Sequence, residues 1–424
     1  MDIVVENRPL CGRIRAISSK SDVHRFLFAA ALAKGHSSLT FTTLSDDIAA
    51  TVGVLNALGA KITVCGEDGN YTAEIDGIAS PKRGAVLDAA ECGTTARLCL
   101  PVAAALGGGL TLTGKSGLAA RPFDELCRVL RTGGACLDRD RLPIEIGGGM
   151  QSGVYAIRGD VSSQYISGLL FALPLLDGDS RICLTTPLVS GGYVDMTLDT
   201  LRLFGLRAEK TGDGFYIPGG QSYTPVRGYS AEGDWSNAGY FLAAGALGGS
   251  VTVTGLRADS RQRDKRLLDL LCEAGASVER RDGEITVTGG KLSALDFDGE
   301  DIPDALPMLA AVLAASEGTS RIRGAARLKF KESDRLATTA RMLSALGGRV
   351  EVTDDGFILT GTRLHGGEVD GANDHRIVMS AAILAAAADG AVVIRGAQAV
   401  NKSYPTFFED IQKLGGTCSV VTHG

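Results

Sequence analysis

Lys20, Ser21 and Arg25 stand in "ISSKSDVHR", at the mouth of an alanine-rich run, "FLFAAALAKG", that reads as a buried helix. A Lys-Ser pair opening a helix suggests phosphate binding, but a nucleotide P-loop needs G-x-x-x-x-G before the lysine so that backbone N–H groups wrap the phosphates. Here Arg15 to Ser19 precede it, so side chains must hold any anion. Similar pieces precede other apolar runs: "ECGTTAR" with Gly93, "DVSSQYISG" with Ser162, Ser163 and Gln164, "DIPDALP" with Asp304, and "GANDHRIVMS" with Arg376. Helix starts rich in Ser, Thr and Gly expose free N–H groups and a positive dipole end, which suits anions.

Each piece taken singly has a structural reading. "DVSSQ" is an N-cap, and "ECGTTAR" is a capped start whose Arg97 pairs with Glu91. Arg121 in "ARPFDEL" reads as a surface residue beside a proline in a helix's first turn, and Ser190 and Tyr193 in "LVSGGYVD" as ordinary loop residues. "KFKESDRLA" reads as a self-paired helix start, with Lys331 facing Arg335 at i,i+4 and Glu332 facing it at i,i+3. His375 in "NDHR" reads as structural, and Lys402 as a surface lysine before a proline-initiated helix. Capping alone, however, does not call for so many cations at equivalent places.

Those places are equivalent because the chain repeats. An alanine/leucine run, a glycine and a β-branched run recur six times, with Gly35, Gly108, Gly178, Gly249, Gly318 and Gly390 about 70 residues apart. A second series, from "VLNALGAKITV" to "IQKLGGTCSV", interleaves with it. Each repeat is expected to run strand, helix, strand, helix, then further strand, with a left-handed glycine after its helices. The first helix series is apolar nearly all round and is therefore expected inside each unit. The polar stretch Gly219 to Asn237 parts the third repeat from the fourth. The expected lobes are residues 1–19 with 231–424, and 20–230, with the chemistry in the cleft between them.

Composition narrows the function classes. A net charge of −6 over 424 residues argues against a nucleic-acid surface. No apolar run reaches the roughly 18 residues of a membrane span, and "MDIVVENRPL" lacks a signal-peptide layout. Nine cysteines without C-x-x-C spacing read as thiols in a reducing cytoplasm. Five histidines without H-x-x-x-H spacing give no metal motif, so neither metal nor cofactor is expected.

In this order, from Lys20 to Lys402, the motifs resemble the enolpyruvyl transferases, and "KESDRL" with "NDHR" resembles the 5-enolpyruvylshikimate-3-phosphate synthases among them. The resemblance implies an α/β fold of two similar lobes, each of three βαβαββ repeats around buried helices, an inside-out α/β barrel. It implies transfer of the enolpyruvyl group of phosphoenolpyruvate to shikimate 3-phosphate on the way to chorismate, by a cytoplasmic monomer. Lys20, Ser21, Arg25, Ser162, Ser163, Gln164, Ser190, Asp304 and Lys331 would then hold shikimate 3-phosphate. Lys20, Gly93, Arg121, Gln164, Arg335, Arg376 and Lys402 would hold phosphoenolpyruvate, with Glu332 the proton donor, Asp304 the base and Lys20 assisting. Each substrate carries a phosphate and a carboxylate, so the pair brings about five to six negative charges. Seven cations in the implied set offset them, and arginine's planar fork suits both groups.

Some positions depart from the family pattern. "ISSKSDVHR" lacks the Pro-Gly that often precedes the lysine, Leu98 stands where a proline is frequent, and Arg327 replaces an asparagine of some members. The rival inside the fold, the UDP-N-acetylglucosamine enolpyruvyl transferase, has a reactive cysteine where this chain has Ser116 and Lys-Asn where it has Lys20-Ser21. A non-catalytic anion-binding protein is the other alternative. Asp304 and Glu332 speak against it, because carboxylates weaken an anion site unless they do chemistry.

Overall fold

The structure, a computed structural model, describes residues 1–67 and 69–421. The chain forms two compact units, one of Met1–Ile17 with the chain from Glu232 onward, the other Ser18–Ala231. Alanine-rich helices form the interior of each. Lys20–Leu32, Gly93–Leu106 and Ser163–Ala172 lie in the second unit, and Trp235–Ala246, Leu306–Ala314 and His375–Leu384 in the first. Every residue of the last three is buried. Small side chains let such helices approach closely. A Cβ on Gly168 would sit 2.6 Å from the Arg97 carbonyl, so this glycine brings Ser163–Ala172 against the first turns of Gly93–Leu106.

The interleaved helices are amphipathic and lie outside. In Asp124–Thr132, Leu126, Cys127, Val129 and Leu130 face inward, while Arg128 and Arg131 remain in solvent. Pro122 precedes the N-cap Phe123 of this helix, and Pro405 precedes the N-cap Thr406 of Phe407–Lys413. Neither proline occupies the first helical turn that the sequence suggests.

Six four-stranded sheets share one strand order among the described residues. In one, Val86–Asp88 runs parallel to Leu110–Thr113, which pairs antiparallel with Ile144–Gly148, and Cys136–Leu137 closes the edge. The parallel pair needs a crossover, which the buried helix supplies. Three strands come from distant chain segments. Tyr229–Ser230 opens the first repeat beside His36–Phe41, Cys11–Arg15 opens the fourth beside Ser250–Thr254, and Ile3–Val5 completes the sixth between Asp389–Arg395 and Cys418–Val420. The N-terminal strands thus belong to the unit that holds the last three repeats.

The left-handed glycine rule holds for the outer helices: Gly59, Gly134, Gly205, Gly275, Gly347 and Gly415 all have positive φ. It fails in part for the buried series, where Gly178 and Gly249 do not. Gly249 answers a different constraint, because its Cβ would lie 2.0 Å from the Leu10 carbonyl oxygen. Gly249→Ala is therefore expected to lower stability by about 1–3 kcal/mol, the scale of overpacking. Denaturant midpoints of variant and wild type measure it, and equal midpoints would show that the segment at Leu10, just before Cys11–Arg15, yields freely.

Candidate active site

In the unit that holds the last three repeats, the buried helices begin with carboxylates. Asp234 caps Trp235–Ala246 by accepting from Asn237 N–H at 2.8 Å, and Asp374 caps His375–Leu384 by accepting from Arg376 N–H at 2.9 Å. Asp304 lies just ahead of Leu306–Ala314. Arg335 joins two of these starts. Its guanidinium donates to Asp374 Oδ2 at 2.8 Å and Oδ1 at 3.2 Å, to Asp304 at 2.8 Å and to Glu332 at 2.5 Å, and the residue is 1% exposed.

Lys331 Nζ lies 3.2 Å from Asp304, and Ser333 Oγ donates to Asp374 at 2.9 Å. Arg376 donates to the carbonyl and hydroxyl of Ser236 at 2.9 and 2.7 Å, approaches Asp304 at 3.9 Å and stacks 5.8 Å from the Tyr240 ring centre. Lys402 is buried and donates to the Asn373 carbonyl at 2.7 Å. It is not the surface lysine that its sequence position alone suggests. Arg327 donates to the Glu300 carbonyl.

"KFKESDRLA" is not one helix. A 3-10 turn, Ala326–Phe330, precedes an extended Lys331, and the α-helix begins at Arg335. Asp334 takes the N–H groups of Leu336 and Ala337, which fixes the helix start there. Lys331 and Arg335 therefore meet through Asp304 and not along a helix face, whereas Glu332 and Arg335 do pair as their spacing suggests. Burial raises the proton affinity of the Asp304 carboxyl, but Lys331, Arg376 and Arg335 outweigh it and hold the group well below the usual carboxylate range. Burial lowers the Lys331 pKa, partly offset by Asp304.

In the unit Ser18–Ala231 the caps are neutral: Ser19, Cys92 and Ser162 open the three buried helices. Lys20 Nζ pairs with Asp47 at 2.6 Å. Arg25 is 2% exposed and donates to Thr197 Oγ1 at 2.9 Å, to the Ser21 carbonyl at 2.8 Å and to the Tyr193 carbonyl at 2.9 Å. Burial pulls its pKa down to about 10. Burial, then Lys20 and Arg25, push the His24 imidazole well below its usual value, and burial drives the Cys92 thiol up to about 12.

Gly93 lies against Arg121, whose Nη1 would be 2.8 Å from a Cβ there, and Arg121 itself is buried. Arg97 donates to Gln164 Oε1 at 2.9 Å, and Gln164 Nε2 donates to Thr94 at 2.8 Å. Arg97 also lies between the Phe123 and Tyr165 rings. Ser162 accepts from Gln164 N–H, Ser163 begins the same helix, and Ser190 precedes Gly191–Leu203 with a left-handed φ of 52°.

The structure thus joins Lys20 to Asp47, Arg25 to the Ser21 and Tyr193 backbone, Gly93 to Arg121, and Gln164 to Arg97. In the other unit it joins Asp304, Lys331, Glu332, Arg335 and Arg376, with Lys402 beside Asn373. Sequence reasoning missed Asp47, Thr94, Thr197, Ser236 and Tyr240 as supports. All five stand in the first two turns of a helix, but only Thr94, beside Gly93, and Thr197, in the helix that Ser190 precedes, adjoin a singled-out residue, so Asp47, Ser236 and Tyr240 carry no further signal.

Repeats of this architecture, with cations and carboxylates at the starts of buried helices, define the enolpyruvyl transferase class of fold. The EPSP synthase of Acinetobacter baumannii superposes with a TM-score of 0.80 at 26% identity, over 99% of this chain and 100% of that one. The enolpyruvyl transferase NikO of Streptomyces tendae shares the fold, with a TM-score of 0.80 at 21% identity over 100% and 99% of the two chains. Residues 4–411 match the family described as EPSP synthase (3-phosphoshikimate 1-carboxyvinyltransferase), and the chain belongs to that family. Proteins named 3-phosphoshikimate 1-carboxyvinyltransferase from Methanocorpusculum labreanum and Clostridium kluyveri are 38% and 39% identical to it. The first match covers 98% of this chain and 99% of the relative, the second 96% and 95%. Among the described residues no helix is long and apolar enough to cross a membrane.

The depressed Asp304 pKa carries a pH signature. Its stabilisation is complete above the unfolded value of about 3.9 and is lost as pH falls toward the lower folded value. Asp304→Asn is expected to flatten the fall of the denaturant midpoint below about pH 4 relative to wild type. Parallel curves would remove Asp304 from the groups responsible for acid lability.

Proposed function

We propose that the chain transfers the enolpyruvyl (carboxyvinyl) group of phosphoenolpyruvate to the 5-hydroxyl of shikimate 3-phosphate, releasing phosphate, in the shikimate pathway. The observation that carries this reading is the knot of Asp304, Glu332 and Asp374 on Arg335, with Lys331 and Arg376 beside Asp304. It places two reachable carboxylates among cations, which is what an addition–elimination between anions requires. Family membership over nearly the whole chain supports the substrate pair.

In the proposed mechanism, Arg335, Arg376, Lys402, Arg121 and Gly93 receive phosphoenolpyruvate, with Lys20 and Gln164 touching both substrates. Ser162, Ser163 and Ser190 take the phosphate of shikimate 3-phosphate, with Ser21, Arg25 and Lys331 completing its grip. Once phosphoenolpyruvate draws Arg335 away from it, Glu332 takes up a proton from solvent and delivers it to the methylene carbon while Asp304 takes the proton of the attacking hydroxyl. The C–O bond forms and a tetrahedral intermediate results. Glu332, left as a carboxylate, then takes a proton back from the new methyl group as phosphate leaves, and the cations assist that departure.

In the free protein Asp304 is ionised, as a base must be, but three cations weaken it as a proton acceptor. When phosphoenolpyruvate engages Arg335 and Arg376 its charges offset theirs, so the proton affinity of Asp304 rises as the hydroxyl arrives. Proton transfer and charge stabilisation suffice for this chemistry, so no cofactor is assigned. The nine free thiols, four of them exposed, suit a reducing cytoplasm. Each unit buries its own core, so a monomer suffices.

The rival substrate, UDP-N-acetylglucosamine, is disfavoured by the exposed Ser116 in the place of that enzyme's reactive cysteine. Phosphate release from phosphoenolpyruvate is expected with shikimate 3-phosphate and not with UDP-N-acetylglucosamine, and the reverse pattern would overturn the reading. Asp304→Ala is expected to bind shikimate 3-phosphate yet turn over at least ~10²-fold more slowly, the scale of acid–base groups. Near-normal turnover would remove Asp304 from the chemistry.

A further inference from the structure

Three donor atoms from three helix starts converge beside Lys20. His24 lies in the second turn of Lys20–Leu32, Asp47 in the first turn of Asp46–Leu58, and Cys92 caps Gly93–Leu106. All three residues are buried, and their nitrogen, oxygen and sulfur atoms lie within 4.8 Å of one another. His24 Nε2 and Cys92 Sγ are 3.9 Å apart. A tetrahedral zinc ion, with bonds of about 2.3 Å to sulfur and about 2.0 Å to nitrogen, holds such atoms about 3.5 Å apart. His24 Nε2 and Cys92 Sγ therefore need to close by about 0.4 Å, and a pair at the 4.8 Å limit by no more than about 1.5 Å, to meet on one ion.

The surroundings orient these donors. His24 Nδ1 lies 2.7 Å from Thr51 Oγ1, which lies 2.6 Å from Thr95 Oγ1. With Nδ1–H donating to Thr51 and Thr51 donating to Thr95, the Nε2 lone pair is left toward Cys92, the arrangement that supports histidine ligands in metal sites. Thr95 N–H points at Cys92 Sγ at 3.4 Å, a bond that a thiolate accepts more strongly than a thiol. The proposed reaction uses neither His24 nor Cys92.

We propose that His24, Asp47 and Cys92 form a site for one thiophilic divalent ion, of the kind Zn²⁺, Co²⁺ or Cd²⁺, and that loading it takes Asp47 away from Lys20. An imidazole, a carboxylate and a thiolate select such ions over Mg²⁺ or Ca²⁺. The thiol proton leaves to solvent on binding, and thiolate with carboxylate neutralises the ion. Lys20 and Arg25 repel it, so the site binds more weakly than a dedicated structural zinc site. It is reached through the Lys20–Asp47 pair, whose side chains keep 17% and 10% of their exposure. Because Lys20 is a substrate residue in the proposed function, and on that reading alone, the loaded ion inhibits turnover.

Cobalt titration of the intact chain tests the site without reference to activity. Wild type is expected to show a thiolate-to-cobalt charge-transfer band saturating at one equivalent. C92S, which keeps a capping side chain, is expected to lose the band, and H24Q to bind at least about tenfold more weakly. No band in wild type, or a band that survives in C92S because exposed thiols such as Cys65 or Cys136 supply it, overturns the site. Zn²⁺ is expected to inhibit phosphate release, with C92S at least about tenfold less sensitive. Equal sensitivity of the two active enzymes overturns the inhibition. If wild type shows no turnover with shikimate 3-phosphate, the functional reading fails while the cobalt band still decides the site.

Discussion

A guanidinium does not escape burial by losing its proton, and transferring it from water costs several kcal/mol unless partners compensate. Arg335 is 1% exposed, so its three carboxylate partners are conditions of its being there. They come from the cap of one buried helix, the loop before a second, and the loop before its own helix. Asp304, Glu332 and Asp374 would repel one another without it. With Lys331 and Arg376 the group holds three acids against three cations. A resting site that is balanced in this way can exchange internal partners for those of an incoming anion without exposing an unpaired charge.

The two units share one repeat but cap it differently, and the difference sorts their chemistry. Asp234 and Asp374 cap buried helices in one unit, whereas Ser19, Cys92 and Ser162 do so in the other. An aspartate at a helix start cancels the positive dipole end, while a serine leaves it available to an anion. Cations beside aspartate caps, such as Arg335 and Arg376, are therefore bound internally. Lys20, Arg25, Arg97 and Arg121 have internal partners too, but they stand beside neutral caps, where their positive field adds to that of the dipole. The bodies of these helices are apolar all round, so only their first turns can carry polar groups, and the functional residues collect there.

That concentration is why much of the site was legible in the sequence. "NDHR" and "SKSDVHR" fall at the starts of apolar runs and "KESDR" at the start of an amphipathic helix, and the repeat count follows from the apolar runs. The assignment of the N-terminal segment to the later unit is part of the sequence reading, but the individual partners are not, because Ile3–Val5 and Cys11–Arg15 are too short to declare strands about 240 to 420 positions away. Charge spacing misled where a cap intervened. Lys331 and Arg335 are four apart, but Asp334 starts the helix between them. Arg97 donates to Gln164, 67 positions on, because Gly168 lets the two helices approach, a contact that its spacing from Glu91 does not announce. Sequence spacing cannot register a contact made by the absence of a side chain.

Backbone strain marks the same places independently. Five non-glycine residues among those described hold a left-handed φ: Ala90, Ser190, Asp282, Ala372 and Asn373. Asp282 sits in a hairpin turn between Ser277–Arg281 and Glu284–Thr288, but the other four lie in loops that open the site helices. Each costs roughly 1–2 kcal/mol, so the consecutive pair Ala372-Asn373 needs compensation. Part of it is visible: Asp370 takes the Ala372 N–H, Lys402 donates to the Asn373 carbonyl, and Asp374 is anchored by Arg335 and Ser333. The loop is thus held by the charged groups that the site uses. A change in Lys402 or Arg335 would alter backbone geometry as well as charge, so the cost of their loss cannot be assigned to electrostatics alone.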